Sequence, residues 1–106
     1  MNKKYIIRNN NEIERIINLS NKTISKCFII YSNNNNLKYN RYCVSVSKKI
    51  GKSNVRNYYK RIIKDILSKN KFNSSNDYVI ILRKLVLEKK YTELKDELIK
   101  ILKGDK

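Results

Sequence analysis

The chain has 106 residues, with 25 Lys and Arg against 9 Asp and Glu, no His, and a formal charge of +16. That length is one domain, able to bury roughly two-thirds of its unfolded surface around a single core, and a hydrophobic fraction of 41% argues against disorder. Such an excess of cations costs self-repulsion on folding and makes sense when a polyanion neutralises it, which puts nucleic acid first as partner and an anionic membrane surface second.

No apolar run approaches the roughly 20 residues of a membrane span, and the N-terminus lacks a signal-peptide core. A cytoplasmic protein with no membrane partner is expected. Cys27 and Cys43 stand far apart in a chain without His, which excludes the usual zinc spacings and leaves two reduced core thiols as the expectation. The polar residues lean on Asn and Lys and the apolar ones on Ile, as A/T-rich codons favour. Lysine count alone is therefore weak, and position has to carry the argument.

In chain order, residues 1–9 are expected to be a loose end of a single domain spanning 1–106, as are residues 103–106. Asn10 or Asn11 can cap a first helix whose Ile13, Ile16 and Ile17 follow helical spacing. Residues 24–31 are β-rich and apolar on both faces, and lead into an Asn loop at 33–36. Residues 41–46 alternate, with Tyr42, Val44 and Val46 on one side and Arg41, Cys43 and Ser45 on the other. These two stretches read as a hairpin with a long polar loop. Gly51 breaks the extension, Ser53 or Asn54 can cap, and residues 55–69 read as a second helix. A polar turn at 73–76 precedes a strand at 77–82. The last helix carries Tyr91, Leu94, Leu98, Ile101 and Leu102 on one stripe, with Gly104 as its stop.

The second helix is the informative one. At 100° per residue, Val55, Tyr58, Tyr59, Ile62, Ile63 and Ile66 form an apolar arc. Arg56, Asn57, Lys60, Arg61 and Lys64 fill the opposite arc with no acidic residue among them, and Asp65 lies at its edge. A merely solvated face would carry Glu–Lys pairs at four-residue spacing, and a cation in the first turn opposes the helix dipole. The arc reads as a nucleic-acid face.

At this helix the sequence resembles a known family. The run from Val44 to Gly51 (VSVSKKIG) followed by Val55 to Lys64 (VRNYYKRIIK) is similar to the signature of the bacterial ribonuclease P protein. Asp77 to Lys84 resembles the family's next strand, and Tyr91 with Leu94 and Leu98 its last helix. The likeness runs from about Glu12 to Leu102. It implies an α+β domain, a single two-layer unit in the order α-β-β-β-α-β-α. The sheet would have four strands, with a short extra strand near residues 21–24. It also implies a left-handed β-α-β crossover through the basic helix, against the usual preference.

The resemblance further implies roles. Lys48, Lys49, Arg56, Asn57, Lys60, Arg61 and Lys64 would bind the catalytic RNA, with Lys64 standing where arginine is usual and so lacking the bidentate fork. A cleft between the sheet and the first and last helices would grip the single-stranded 5′ leader of precursor tRNA. It would do so through Ile13, Ile17, Ile29, Tyr31, Arg41 and Ser45. Aromatic platforms suit a leader of varied sequence, yet Ile13 and Ile17 replace the family's usual phenylalanines, so packing replaces stacking there. Phe28 alternates to the other face and reads as core. Ser20 stands at a family glycine and Asn54 at a small apolar position.

A protein ribonuclease working without metal generally needs a proton-transfer pair, and this chain has no His. Its acidic cluster, Glu93, Asp96 and Glu97, sits among Lys89, Lys95 and Lys100 and reads as a solvated helix face. The resemblance implies hydrolysis on the RNA subunit with Mg2+, no metal and no catalytic residue on the protein, and one protein per RNA. The protein alone is expected not to cleave. The alternative function is a ribosomal or other structural RNA-binding protein.

Overall fold

The computed structural model describes residues 2–70, 72 and 74–104. Its elements are α1 (Asn10–Leu19), β1 (Asn21–Ile24), β2 (Phe28–Asn34), β3 (Arg41–Ser45), α2 (Ser53–Lys69), β4 (Asn76–Leu82) and α3 (Tyr91–Leu102). Short 3-10 turns lie at Lys3–Tyr5 and Lys84–Glu88. The order is the α-β-β-β-α-β-α expected, and the four strands form one mixed sheet arranged β1-β2-β4-β3.

That arrangement corrects the hairpin. β2 and β3 do not pair: β4 lies between them, antiparallel to β2 and parallel to β3. Alternation reports which way side chains face and carries no information about which strand lies alongside. β2 instead pairs with β1 through a tight turn, Asn21 opposite Ser32 and Ile24 opposite Ile29.

The pleat sorts the apolar residues into two layers. One face presents Phe28, Ile30, Tyr42, Tyr78, Ile80 and Leu82, which pack with Ile63, Ile66 and Leu67 of α2 and Leu94, Leu98 and Leu102 of α3. The other face is covered by α1, whose Ile16 meets Val79 and Ile7, with Ile13, Ile17, Tyr31, Cys43 and Ile81 partly buried around them. Phe28 is fully buried, as alternation requires. α3 thus shares its layer with α2, on the opposite side of the sheet from α1. The expected cleft walled by first and last helices becomes a surface walled by α1 alone on that face.

The ends and caps refine the sequence reading. Residues 1–9, expected as a loose end, include a 3-10 turn, and Ile7 is 3% exposed. The Ile7 amide donates to the Tyr42 carbonyl at 2.8 Å, which covers part of the outer edge of β3. The cap of α1 is Asn9, whose Oδ1 accepts from the amides of Asn11 and Glu12, so the Asn run shifted the cap by one position. The N-cap of α2 is Lys52, which makes no side-chain cap bond, and the expected caps Ser53 and Asn54 lie within the first turn. Gly104, at φ 73°, ends α3 in the left-handed region, and its amide donates to Ile101. The expected polar turn at 73–76 falls partly, at Asn73, outside the described residues. So do residues 105 and 106 of the expected loose C-terminus.

Candidate nucleic-acid interface

α2 buries Ile63, Ile66 and Leu67, with Val55, Tyr59 and Ile62 packed partly against the same core. Its polar arc then faces outward over 17 residues, about 25 Å of helix. Asn57 and Arg61 are exposed, and Arg56, Lys60 and Lys64 are half-buried. Lys48 and Lys49, in the turn after β3, are exposed beside the helix's N-terminal end. The ion pairs found among the described residues involve Arg41, Lys69 and Lys89 on the basic side, and none involves a cation of this row. Arg56 is held by its own neighbour: Nη2 donates to Ser53 Oγ at 3.2 Å, while the buried Nε has no partner.

One member of the expected apolar arc leaves it. Tyr58 is 56% exposed, its ring edge-to-face with Tyr59 at 5.3 Å, and stands on the rim of the cationic row. A single apolar–polar division of the helix wheel assigned it to the core. The finer signal was its place one turn before Arg61, between both arcs.

The expected leader residues share one face of the sheet. The register sets Ile29, Ile81 and Ser45 in one cross-strand row and Tyr31, Val79 and Cys43 in the next. Ile13 and Ile17 reach this face from α1 and remain half-exposed, as do Ile29 and Tyr31, and Ser45 is open. Lys22 of β1, directly opposite Tyr31, holds its ammonium 5.9 Å from the Tyr31 ring centroid. At the other end of that row the Cys43 thiol is pushed up by burial, against the lowering influence of Lys60 and Lys64. β3 thus carries this face on one side and packs against α2 on the other. Cys43 is half-buried and Cys27 fully buried, and both are free thiols.

Arg41 is on the same face but differently employed. Its Nε and Nη2 donate to Asp77 at 2.9 and 2.7 Å, and Nη2 lies 3.3 Å from Glu12. The hydrogen bond to Asp77 is the main reason its guanidinium is held above the ordinary arginine range. Asn35 Nδ2 donates to the same carboxylate at 2.9 Å. Arg41 thus ties α1, β3 and β4 together, and its Nη1 has no hydrogen bond to a side chain among the described residues.

The acidic cluster also departs from a solvated face. Glu97 turns inward, accepting from Ser25 Oγ at 2.6 Å and from the Cys27 amide at 2.8 Å, where it closes the β1–β2 turn. Glu93 accepts from the Lys90 amide at the start of α3. Among the described residues, no three Cys, Asp or Glu side chains are placed to hold a metal ion. No described helix is long and apolar enough to cross a membrane.

A helix face whose cations Arg56, Lys60, Arg61 and Lys64 form no ion pair among the described residues, on a sheet whose other face is half-open, defines the class: a basic α+β RNA-binding domain. A family model described as Ribonuclease P matches residues 1–104. A ribonuclease P protein component of Mycoplasma mycoides subsp. mycoides is 43% identical over 97% of both chains. One from Bacillus cereus (strain AH187) is 38% identical over 97% of this chain and 92% of its own. Among solved structures, a Staphylococcus aureus RNase P protein mutant with defective mRNA degradation activity superposes with a TM-score of 0.88 at 28% identity. That alignment covers 95% of this chain and 87% of the other.

The chain belongs to the ribonuclease P protein family. It is a protein component of the RNA-based endoribonuclease that processes tRNA, with ribonuclease P RNA as its partner, and the ribosomal alternative is set aside.

Proposed function

We propose that α2 and the turn before it dock on the catalytic RNA while the α1-side sheet face holds the 5′ leader of precursor tRNA. The observation that carries this reading is the row Arg56, Lys60, Arg61 and Lys64, free of ion pairs with carboxylates among the described residues. Each cation set against a phosphate releases about one condensed counterion, so the row supplies affinity that fades with salt. Lys48 and Lys49 extend it at the helix start, and Asn57 adds an amide for a sugar or phosphate oxygen.

On the sheet face, Tyr31 offers a ring on which any base can stack, worth about 1–3 kcal/mol. Ile13, Ile17 and Ile29 give apolar flanks, Ser45 a hydroxyl, and Arg41 its Nη1 edge. Because the edge strand β3 carries this face on one side and packs against α2 on the other, one protein can hold the leader near the RNA it is docked on. In this reading Mg2+ belongs to the RNA subunit, where it aligns the attacking water. The chain works in the cytoplasm as one copy per RNA, its cations screening repulsion between catalytic RNA and substrate.

Reconstitution with the catalytic RNA tests both halves. Arg56→Ala with Arg61→Ala should raise the protein needed for half-maximal cleavage at physiological salt, and an unchanged requirement counts against the ridge. Tyr31→Ala should weaken binding of leader-bearing precursor and spare leaderless tRNA; equal weakening of both counts against the leader face. The protein-alone arm uses an mRNA as well as precursor tRNA, because of the mRNA degradation named for the Staphylococcus aureus relative. Cleavage there by nuclease-free protein would refute the assignment of chemistry to RNA.

A further inference from the structure

On the α2 side of the sheet, a hollow of about 370 Å³ opens where three distant segments meet. They are the N-terminal 3-10 turn, the loop joining β2 to β3, and the stretch that ends α2. We infer that this hollow takes a single unpaired nucleobase of RNA, with its flanking phosphates against Lys4 and Lys38.

The aromatic walls come first. Tyr5, Tyr39, Tyr42 and Phe72 line the hollow. Tyr5 and Tyr39 stand edge to face, their centroids 5.4 Å apart and their planes at 86°, so they form a corner in which a third flat ring can stack on one and meet the edge of the other. The Lys4 ammonium lies over both rings, 5.0 Å from each centroid, so an entering base takes its place and the displaced charge can meet a flanking phosphate.

Polar groups with spare capacity come second. Asn70 Nδ2 donates to the Ile66 carbonyl, leaving its Oδ1 to accept from a base amino or imino group. The Tyr42 hydroxyl accepts from Asn40 Nδ2 at 3.4 Å and keeps its own hydrogen to donate. Burial holds that phenol above its ordinary range, so the hydrogen stays in place at neutral pH. Asn40 itself is buried and anchored, its Oδ1 accepting from Ser74 and from the Asn76 amide, so this wall is rigid. Among the described residues the lining contains Lys38 and no carboxylate, which suits an RNA base between phosphates.

Position supplies the third argument, and here the inference rests on the α2 ridge reading. Ser68, at the lip of the hollow, follows Lys60 and Lys64 at four-residue intervals, so it continues their stripe on the helix. An RNA strand following the ridge toward the C-terminal end of α2 arrives at this opening, about 6 Å beyond Lys64 along the helix axis. The base has two possible sources, the catalytic RNA or the precursor tRNA.

The first test is a titration of the full wild-type chain, with tyrosine ring signals followed by NMR. The four nucleoside 5′-monophosphates should shift the Tyr5 and Tyr39 rings, and ribose 5-phosphate should not. Equal shifts from ribose 5-phosphate, or none from any nucleotide at millimolar concentration, would overturn the inference. The same titration of the Arg56→Ala, Arg61→Ala chain should still move Tyr39, so failure of the ridge and failure of the hollow are told apart. In reconstituted holoenzyme, Tyr39→Ala should weaken binding by about 5- to 150-fold, the loss of one stacked base, and Tyr39→Phe should retain it. If that loss falls on assembly, the base belongs to the catalytic RNA; if it falls on precursor affinity with assembly intact, to the precursor. No loss in either sinks the proposal.

Discussion

Arg41 and Arg61 are chemically the same side chain put to opposite use. Arg41 sits between α1, β3 and β4, its side chain 22% exposed and bonded in fork fashion to an Asp77 that is 6% exposed. Arg61, exposed on α2, has no ion pair among the described residues. The first holds the sheet to its helix, and the second leaves its charge for a polyanion. In a chain of formal charge +16 the few carboxylates decide which cations are structural. Asp77 and Glu12 take Arg41, Asp65 takes Lys69, and the ridge is left with none.

The largest effect expected is on stability at Asp77. Its carboxylate is buried and accepts three hydrogen bonds, two from Arg41 and one from Asn35. Asp77→Ala removes them and leaves a half-buried guanidinium without its main partner, a cost of about 3 kcal/mol. Urea unfolding measures it. Arg61→Ala in the same assay should lie within about 0.5 kcal/mol of the parent chain. Equal losses at the two sites would erase the distinction between a structural and a free arginine.

The next effect is on RNA binding and runs the other way. Arg56→Ala with Arg61→Ala should lower affinity for the catalytic RNA on the order of tenfold and reduce the slope of log affinity against log salt by about 1.5. Arg41→Ala should leave that slope unchanged when measured below its unfolding transition. A slope change from Arg41→Ala would place its charge in the RNA interface.

These contrasts show what the sequence exposes and what it hides. The cationic arc of α2 was legible because helical periodicity is local, and both arcs lie within one stretch of chain. The sign of Arg41 was legible too, but its partner Asp77 is 36 positions away, and no spacing rule links them. The same distance hid the pairing of β3 with β4 and produced the hairpin error. β1 reads Asn-Lys-Thr-Ile and is exposed throughout, so it offered no apolar signal, and only the family resemblance implied it. That Ile29, Tyr31, Arg41 and Ser45 share the α1 side was implied by the family resemblance alone, while the grouping of Ile29 with Tyr31 and of Arg41 with Ser45 was legible by alternation. The corner made by Tyr5 and Tyr39 was not, since it joins segments separated by a helix and two strands.

The inward turn of Glu97 gives the smallest prediction and sharpens the comparison from the acidic side, where a carboxylate binds backbone and no cation. Cys27 lies beneath it, its thiol pushed up to about 11 by burial first and by Glu97 next. The protonated thiol is thus favoured more in the folded state than in the unfolded, whose value is near 9.0. Its contribution is fully present below pH 9 and is lost as pH climbs toward 11, about 1 kcal/mol once solvent screening is allowed for. Cys27→Ala should flatten that alkaline limb in urea melts from pH 8 to 11, whatever it costs at neutral pH. Glu97→Gln keeps an acceptor for Ser25 and the Cys27 amide while removing the charge, so it should shrink the limb, ending it at a lower pH, and quicken alkylation of Cys27. A limb that does not move in either variant would assign the alkaline loss to the tyrosines and lysines instead.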